Sequence, residues 1–201
     1  MKAETCNDIF IKVIDHYHIN NEVDSSYSNP FDRETLDFLL FEKCWIDTVQ
    51  WHLEDIIRSP NLDSKTGLSI KHRIDDSNQK RTDIVEKIDD YYFNIFKEKS
   101  ISTSKINTES PGWVVDRLSI LNLKIFHMNE QIERQDVSQE HVLNCGDKLN
   151  ILKKQRTDLS QSFDELLLDY KSGVKKMKVY RQMKMYNDST LNPELYQKNK
   201  P

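Results

Sequence analysis

The sequence predicts an all-α protein: an antiparallel up-down-up-down bundle of four long helices, with a short N-terminal helix and a basic C-terminal tail. Three observations predict it. Apolar residues recur at alternating steps of three and four over long stretches, which is the helical period. Only four glycines occur in 201 residues, too few for a sheet-rich fold with many tight turns or for a glycine-rich phosphate loop. Charged residues make up 31% and hydrophobic ones 37%, a polar balance that long half-exposed helices accommodate.

The elements follow in order. Ile9, Phe10, Val13, Ile14 and Tyr17 mark one face of a first, short helix. Residues 20–30 read as a loop, and Asp32 can cap a second helix that runs to about Arg58, ahead of Ser59-Pro60. Leu39, Ile46, Val49, Leu53 and Ile57 form its stripe, widened by Phe38, Phe41, Trp45 and Ile56. The third helix carries Ile70, Ile74, Ser77, Arg81, Ile84, Ile88, Tyr91 and Ile95, so its stripe is polar in the middle. A polar loop covers about 97–109. Ser110 then reads as an N-cap with Pro111 at the first helical position, and Val114, Leu118, Leu121, Ile125, Met128 and Ile132 continue the fourth helix. Ser138 caps a fifth, with Val137 and Val142 as a hydrophobic staple. Its stripe passes through Cys145, Leu149, Leu152, Arg156, Leu159, Phe163, Leu167 and Tyr170, and Gly173 ends it. Residues 1–173 are therefore expected to form the bundle domain. Residues 174–201 form the tail, expected to pack on the bundle through Met183 and Tyr180 or Tyr186.

The net charge of -4 gives no global field for recruiting nucleic acid or an anionic membrane. Its basic residues are concentrated locally, however, at Lys171, Lys175, Lys176, Lys178, Arg181 and Lys184. Cys6, Cys44 and Cys145 are odd in number and far apart, which suggests neither a disulfide framework nor a zinc knuckle and fits a cytoplasmic location. Residues 1–7 are polar, so no signal peptide is expected, and no apolar run is long enough to span a bilayer.

Several segments carry a resemblance. They are Asn29-Pro30-Phe31, the run 45–58, Ser77-Asn78-Gln79 with Arg81-Thr82-Asp83, the run 107–111, Gln155 to Ser160, and Met177 to Asp188. Together they resemble an uncharacterised bacterial helical family, domain of unknown function 4254, over nearly the whole chain. The resemblance implies a helical, cytoplasmic bacterial protein with a link to cell-envelope glycan assembly. It implies no activity and no residue roles.

The candidate ligand-binding residues are polar side chains on or beside apolar stripes: Glu42, Gln50, His52, Ser77, Arg81 and Arg156. A guanidinium between helices needs a partner, and helical registers set Arg81 near Glu42 and Arg156 near Tyr91. Such a set either binds a small anion between helices or is a paired network that fixes register. Histidine–carboxylate pairs occur at His52/Asp55, His72/Asp75 and His127/Glu130, but His72 and His127 lie off their stripes, so no metal and no cofactor are expected. The segment 110–112 could bind an anion through free backbone N–H groups or simply be capped. Lys175, Lys176, Lys178, Arg181 and Lys184 are the candidate anion or partner surface. The function expected is a non-catalytic cytoplasmic accessory or binding module working with another protein. The alternative is an enzyme acting on an anionic small molecule in the polar core. Nucleic acid and membrane surfaces are disfavoured partners.

Overall fold

The computed structural model describes residues 2–99, 105–183 and 190–191. Five helices account for its regular structure: α1 (Ala3–Asn20), α2 (Leu36–Ile57), α3 (Ser64–Phe96), α4 (Pro111–Glu133) and α5 (Gln139–Lys171), with no strand among the described residues. The protein is all-α. No helix is long and apolar enough to cross a membrane among the described residues.

The first helix is longer than its apolar stripe suggested. It spans 18 residues, and Cys6, Phe10 and Tyr17 on its inner face are fully buried. It is clamped at its start, where the Ala3 backbone N–H donates to Asp164 (2.8 Å) and Asn7 donates to Ser160 (3.0 Å) on α5. Asn21 closes it in the left-handed conformation (φ 53°), which asparagine tolerates better than most residues. On α2 the cap is Thr35, whose hydroxyl accepts from the Phe38 N–H. Asp32 instead sets a turn one step earlier, accepting from Thr35. Asp63 caps α3 by accepting from Lys65 and Thr66, and Ser138 caps α5 by accepting from His141.

The inner face of α3 departs from the expected stripe. Ile70, Ile74, Ser77, Ile84 and Ile88 are buried, but beyond them Tyr92 and Phe96 are buried while Tyr91 and Ile95 are 37% and 46% exposed. A strict four-three repeat drifts about 20° per heptad against a straight helix. Three heptads past Ile70 the drift amounts to roughly 60°, so the buried face passes to Tyr92.

Helix pairings set the geometry of the site. Gln50 meets Ser77 and Asn78, and Asp47 meets Arg81, so α2 and α3 run in opposite directions. Asn7 pairs with Asn122, Tyr17 and His18 lie against His52, and His18 lies against Phe126 and His127, so α1, α2 and α4 point the same way. The core is continuous at one end, through Phe10, Leu40, Ile88, Leu118 and Phe163. Towards the other end it divides. Leu53, Ile70 and Ile74 close between α2 and α3, and Leu121, Ile125 and Leu149 between α4 and α5.

Two glycines are required by close approach. A Cβ on Gly112 would lie 2.5 Å from the Val85 carbonyl oxygen, so glycine lets α4 start against α3. Gly173 has φ +74° and lies against the Lys99 carbonyl, turning the chain out of α5. Beyond it Met177 is 2% exposed within the main core, and Val179 packs beside it. This segment therefore docks through Met177. Met183 and Tyr180, expected to anchor it, are 83% and 72% exposed, and Tyr186 lies outside the described residues. The spacing from Gly173 explains the difference. The chain turns back at once, and the first methionine after the turn reaches the core edge.

Candidate functional site

The polar middle of the α3 stripe meets a charged cluster on α2 and α4. Lys43 is fully buried and pairs with Asp47 one turn along α2 and with Asp116 on α4 (2.8 Å). Arg81 donates to Asp47 (2.6 Å) and Asp116 (3.1 Å), and Ser119 donates to Asp47 (2.6 Å). Two cations thus face two anions, and every carboxylate oxygen of Asp47 is used. Burial pushes the Asp116 carboxyl up, but Lys43 and Arg81 outweigh it and hold it below its usual range. Beside this cluster Ser77 donates to Gln50 (2.8 Å), and Gln50 and Arg81 both donate to Asn78 (2.9 and 3.4 Å). Arg81, Gln50 and Ser77 therefore belong to a paired network that fixes the register of α2, α3 and α4.

Glu42 is not Arg81's partner. It faces the loop between α1 and α2, accepting from Tyr27 (2.6 Å) and Asn29 (2.9 Å). Side chains on neighbouring stripe positions diverge by 100° per residue, and Lys43, not Glu42, completes the step between Leu39 and Ile46. Arg156 is likewise displaced from Tyr91: it donates to Asn122 on α4 (2.9 Å). The start of α4 holds its own anion. Asp89 accepts from Ser110 Oγ (2.5 Å) and the Gly112 N–H (2.7 Å). The Asp89 carboxyl is pushed up by burial, against those two hydrogen bonds.

The structure assembles a second set of residues where the core divides. A cleft of about 720 Å³ opens there, lined by α2 (Trp51, His52, Asp55), α4 (Lys124, His127, Glu130) and the start of α5 (Lys148, Ile151, Leu152). At its inner end His18, His52 and His127, from three helices, bring one ligand nitrogen each to within 4.8 Å of one another. His18 Nε2 lies 3.2 Å from His52 Nε2. Two of the far nitrogens are hydrogen-bonded, His18 Nδ1 donating to the Ile14 carbonyl (2.7 Å) and His127 Nδ1 meeting Glu130 (2.6 Å), while His52 Nδ1 lies 3.9 Å from Asp55, beyond hydrogen-bond distance. His127 Nε2 is buried with no hydrogen-bond partner. Burial lowers the pKa of His18, and burial together with the neighbouring imidazoles lowers that of His52, so both are neutral near pH 7. Aromatic rings fix the set: Tyr17 stacks on His52 (5.2 Å, 11°), Trp51 on His127 (4.7 Å, 9°), and Phe126 lies against His18 (4.2 Å).

Of the six candidate ligand-binding residues read from the sequence, only His52 lines this cleft, together with its pair partner Asp55 and the pair His127/Glu130. His18 and Trp51 were missed, and His127 was set aside for lying off its stripe. His18 had one signal, its i+4 spacing from Ile14 on the inner face of α1. His72 is exposed and takes no part.

The basic segment is partly spent on the chain's own acids. Lys175 pairs with Asp169 (3.1 Å), Arg181 with Glu86 (3.3 Å) and Asp90 (2.8 Å), and Lys178 lies 5.8 Å over the Tyr180 ring. The Lys176 backbone N–H donates to the Lys105 carbonyl (2.7 Å), while Lys184 lies outside the described residues.

A family model described as "Protein of unknown function (DUF4254)" matches residues 37–179, and the chain belongs to that family. No curated protein and no solved structure matches it.

Proposed function

We propose that this member of the DUF4254 family is a small-molecule-binding module, with its site in the cleft between α2, α4 and α5 and an anionic ligand bearing a flat or apolar face. The observation that carries the reading is the cleft itself. Its volume of about 720 Å³ falls in the range of small-molecule sites. Trp51, Met128, Ile151 and Leu152 offer it apolar surface, and Lys124 and Lys148 stand at it without an ion pair among the described residues. The polar core favours a module over an enzyme working there, since Lys43, Asp47, Arg81 and Asp116 satisfy one another. A phosphorylated sugar has the required anion and ring face. It is the ligand class through which such a module would serve envelope-glycan assembly beside a partner protein that does the chemistry.

The test uses the anionic aromatic probe 8-anilinonaphthalene-1-sulfonate on metal-free protein, followed by its displacement with glucose 1-phosphate. One saturable site is expected, weakened about tenfold, or about 1.4 kcal/mol, by Trp51→Ala or by Lys124→Ala with Lys148→Ala. Lys80→Ala, on a separate groove, should change nothing. Absence of saturable binding, or binding indifferent to the cleft variants, overturns the reading.

A further inference from the structure

We infer that His18, His52 and His127 form a binding site for one transition-metal cation, zinc(II) by preference, at the inner end of the cleft. The inference deepens the cleft reading in one respect, that the metal's open position would face the bound anion. The three ligands themselves rest on their own geometry.

Nitrogen spacing comes first. A tetrahedral zinc with bonds of about 2.0–2.1 Å requires ligand nitrogens roughly 3.3–3.4 Å apart. His18 Nε2 and His52 Nε2 are 3.2 Å apart, and the third ligand nitrogen is within 4.8 Å. Tautomers come second. A backbone carbonyl only accepts, so His18 carries a proton on Nδ1, bonded to Ile14, and its Nε2 points into the cluster. Glu130 fixes His127 the same way, leaving a buried Nε2 that no donor satisfies. Without a cation His52 donates through Nε2 to His18 Nε2, and His127 Nε2 is left a buried acceptor with no partner. A cation engages all three nitrogens once the His52 proton sits on Nδ1, on the side of Asp55. A carboxylate or carbonyl behind each imidazole is also how metal-binding histidines are commonly oriented, and Ile14, Glu130 and Asp55 occupy those places.

Charge and placement agree with this. Asp55 and Glu130 lie behind the His52 and His127 rings, and among the described residues no ammonium or guanidinium is bonded to either. His18 lies in the last turn of α1, where the helix dipole favours positive charge. Imidazole donors without a thiolate suit zinc, nickel or copper better than an oxygen-seeking cation such as magnesium. Three protein ligands are one short of a closed structural site, so a fourth position stays open to the cleft.

The experiment titrates cobalt(II) into full-length protein purified without a histidine tag and stripped with a chelator. Visible absorption reports binding, and zinc(II) is then added as competitor. One cobalt per chain is expected, displaced by one zinc. His52→Gln and His127→Gln should each weaken binding about a hundredfold or more. Glu130→Gln should weaken it about tenfold, and His72→Gln should leave it unchanged. Helical circular dichroism and a cooperative melt establish that each variant folds; should a ligand variant fail there, Glu130→Gln decides alone. No saturable binding, or binding unchanged in the folded His127→Gln or Glu130→Gln variants, overturns the inference and leaves a hydrogen-bonded histidine cluster. Probe binding to metal-free protein is scored separately, so the cleft reading and the metal site can fail independently.

Discussion

Replacing Asp47 by asparagine tests whether the charged centre of the bundle is structural pairing. The carboxylate accepts from Arg81 on Oδ1 and from Lys43 and Ser119 on Oδ2. Asparagine keeps the shape but puts an NH2 at one of those positions, so a donor must face a donor in either orientation. The substitution also leaves Lys43 and Arg81 sharing Asp116 alone, two cations on one anion. Removing one partner of a buried pair costs about 3–5 kcal/mol. Arg81 is 22% exposed, so water can take up part of its charge, whereas Lys43 is fully buried. The lower half of that range, about 3–4 kcal/mol, is expected, which in a chain of this size lowers Tm by roughly 6–16 °C. Urea unfolding followed by circular dichroism measures it, with an unchanged m-value showing that two-state behaviour survives. A loss below about 1 kcal/mol would refute the assignment. In the same format, a cycle of Glu42→Gln with Arg81→Met should be additive within about 0.5 kcal/mol, because the two residues share no partner.

Two further outcomes follow from the same contacts. Asp116 has a folded pKa held below its unfolded value, so its stabilising contribution is present above about pH 4 and is lost as pH falls through the folded value. The stability difference between wild type and Asp116→Asn should therefore be largest above about pH 5 and shrink towards pH 2 in urea titrations. A difference that stays flat with pH contradicts this. Met177→Ala should cost about 2 kcal/mol or more, because its side chain fills the core edge. Met183→Ala should change stability by less than about 0.5 kcal/mol. Moderate salt should shift the melt little, since the Arg181 ion pairs are exposed. Thermal melts of the two methionine variants check the ordering, and equal losses would mean the segment docks elsewhere.

The fold class was legible because it depends on properties each helix carries alone. Pro111 opens α4, Ser138 caps α5 and Gly173 follows its end, all local signals in the chain. The polar middle of α3 was legible for the same reason, as Ser77 and Arg81 interrupt an apolar stripe. Their partners were not. Arg81 could reach any acid on two neighbouring helices, and choosing Asp47 and Asp116 over Glu42 needs register to better than one turn. Lys43 did leave a trace, since it falls at the four-three position between Leu39 and Ile46. A lysine there is easily taken for a solvated residue, because an ammonium is buried only when anions on other helices await it.

The histidine cluster could not be read from any single helix. His18 is on α1, His52 on α2 and His127 on α4, and each sits towards the C-terminal end of a helix that points the same way. Their meeting depends on that shared direction, which follows from the loop between α1 and α2 carrying the chain back before α2 begins. It depends also on the core dividing between the α2–α3 and α4–α5 pairs, which leaves polar rings room to face one another. His127 looked peripheral because an α4 stripe drawn through Leu121, Ile125 and Met128 assumes one buried face. In fact α4 serves two surfaces. Ile125 packs against α5, while His127 turns to Trp51 and His52 across the cleft. A residue off the apolar stripe of a helix is thus a site candidate wherever that helix lies between two separate clusters, because the gap between clusters is where a ligand can enter.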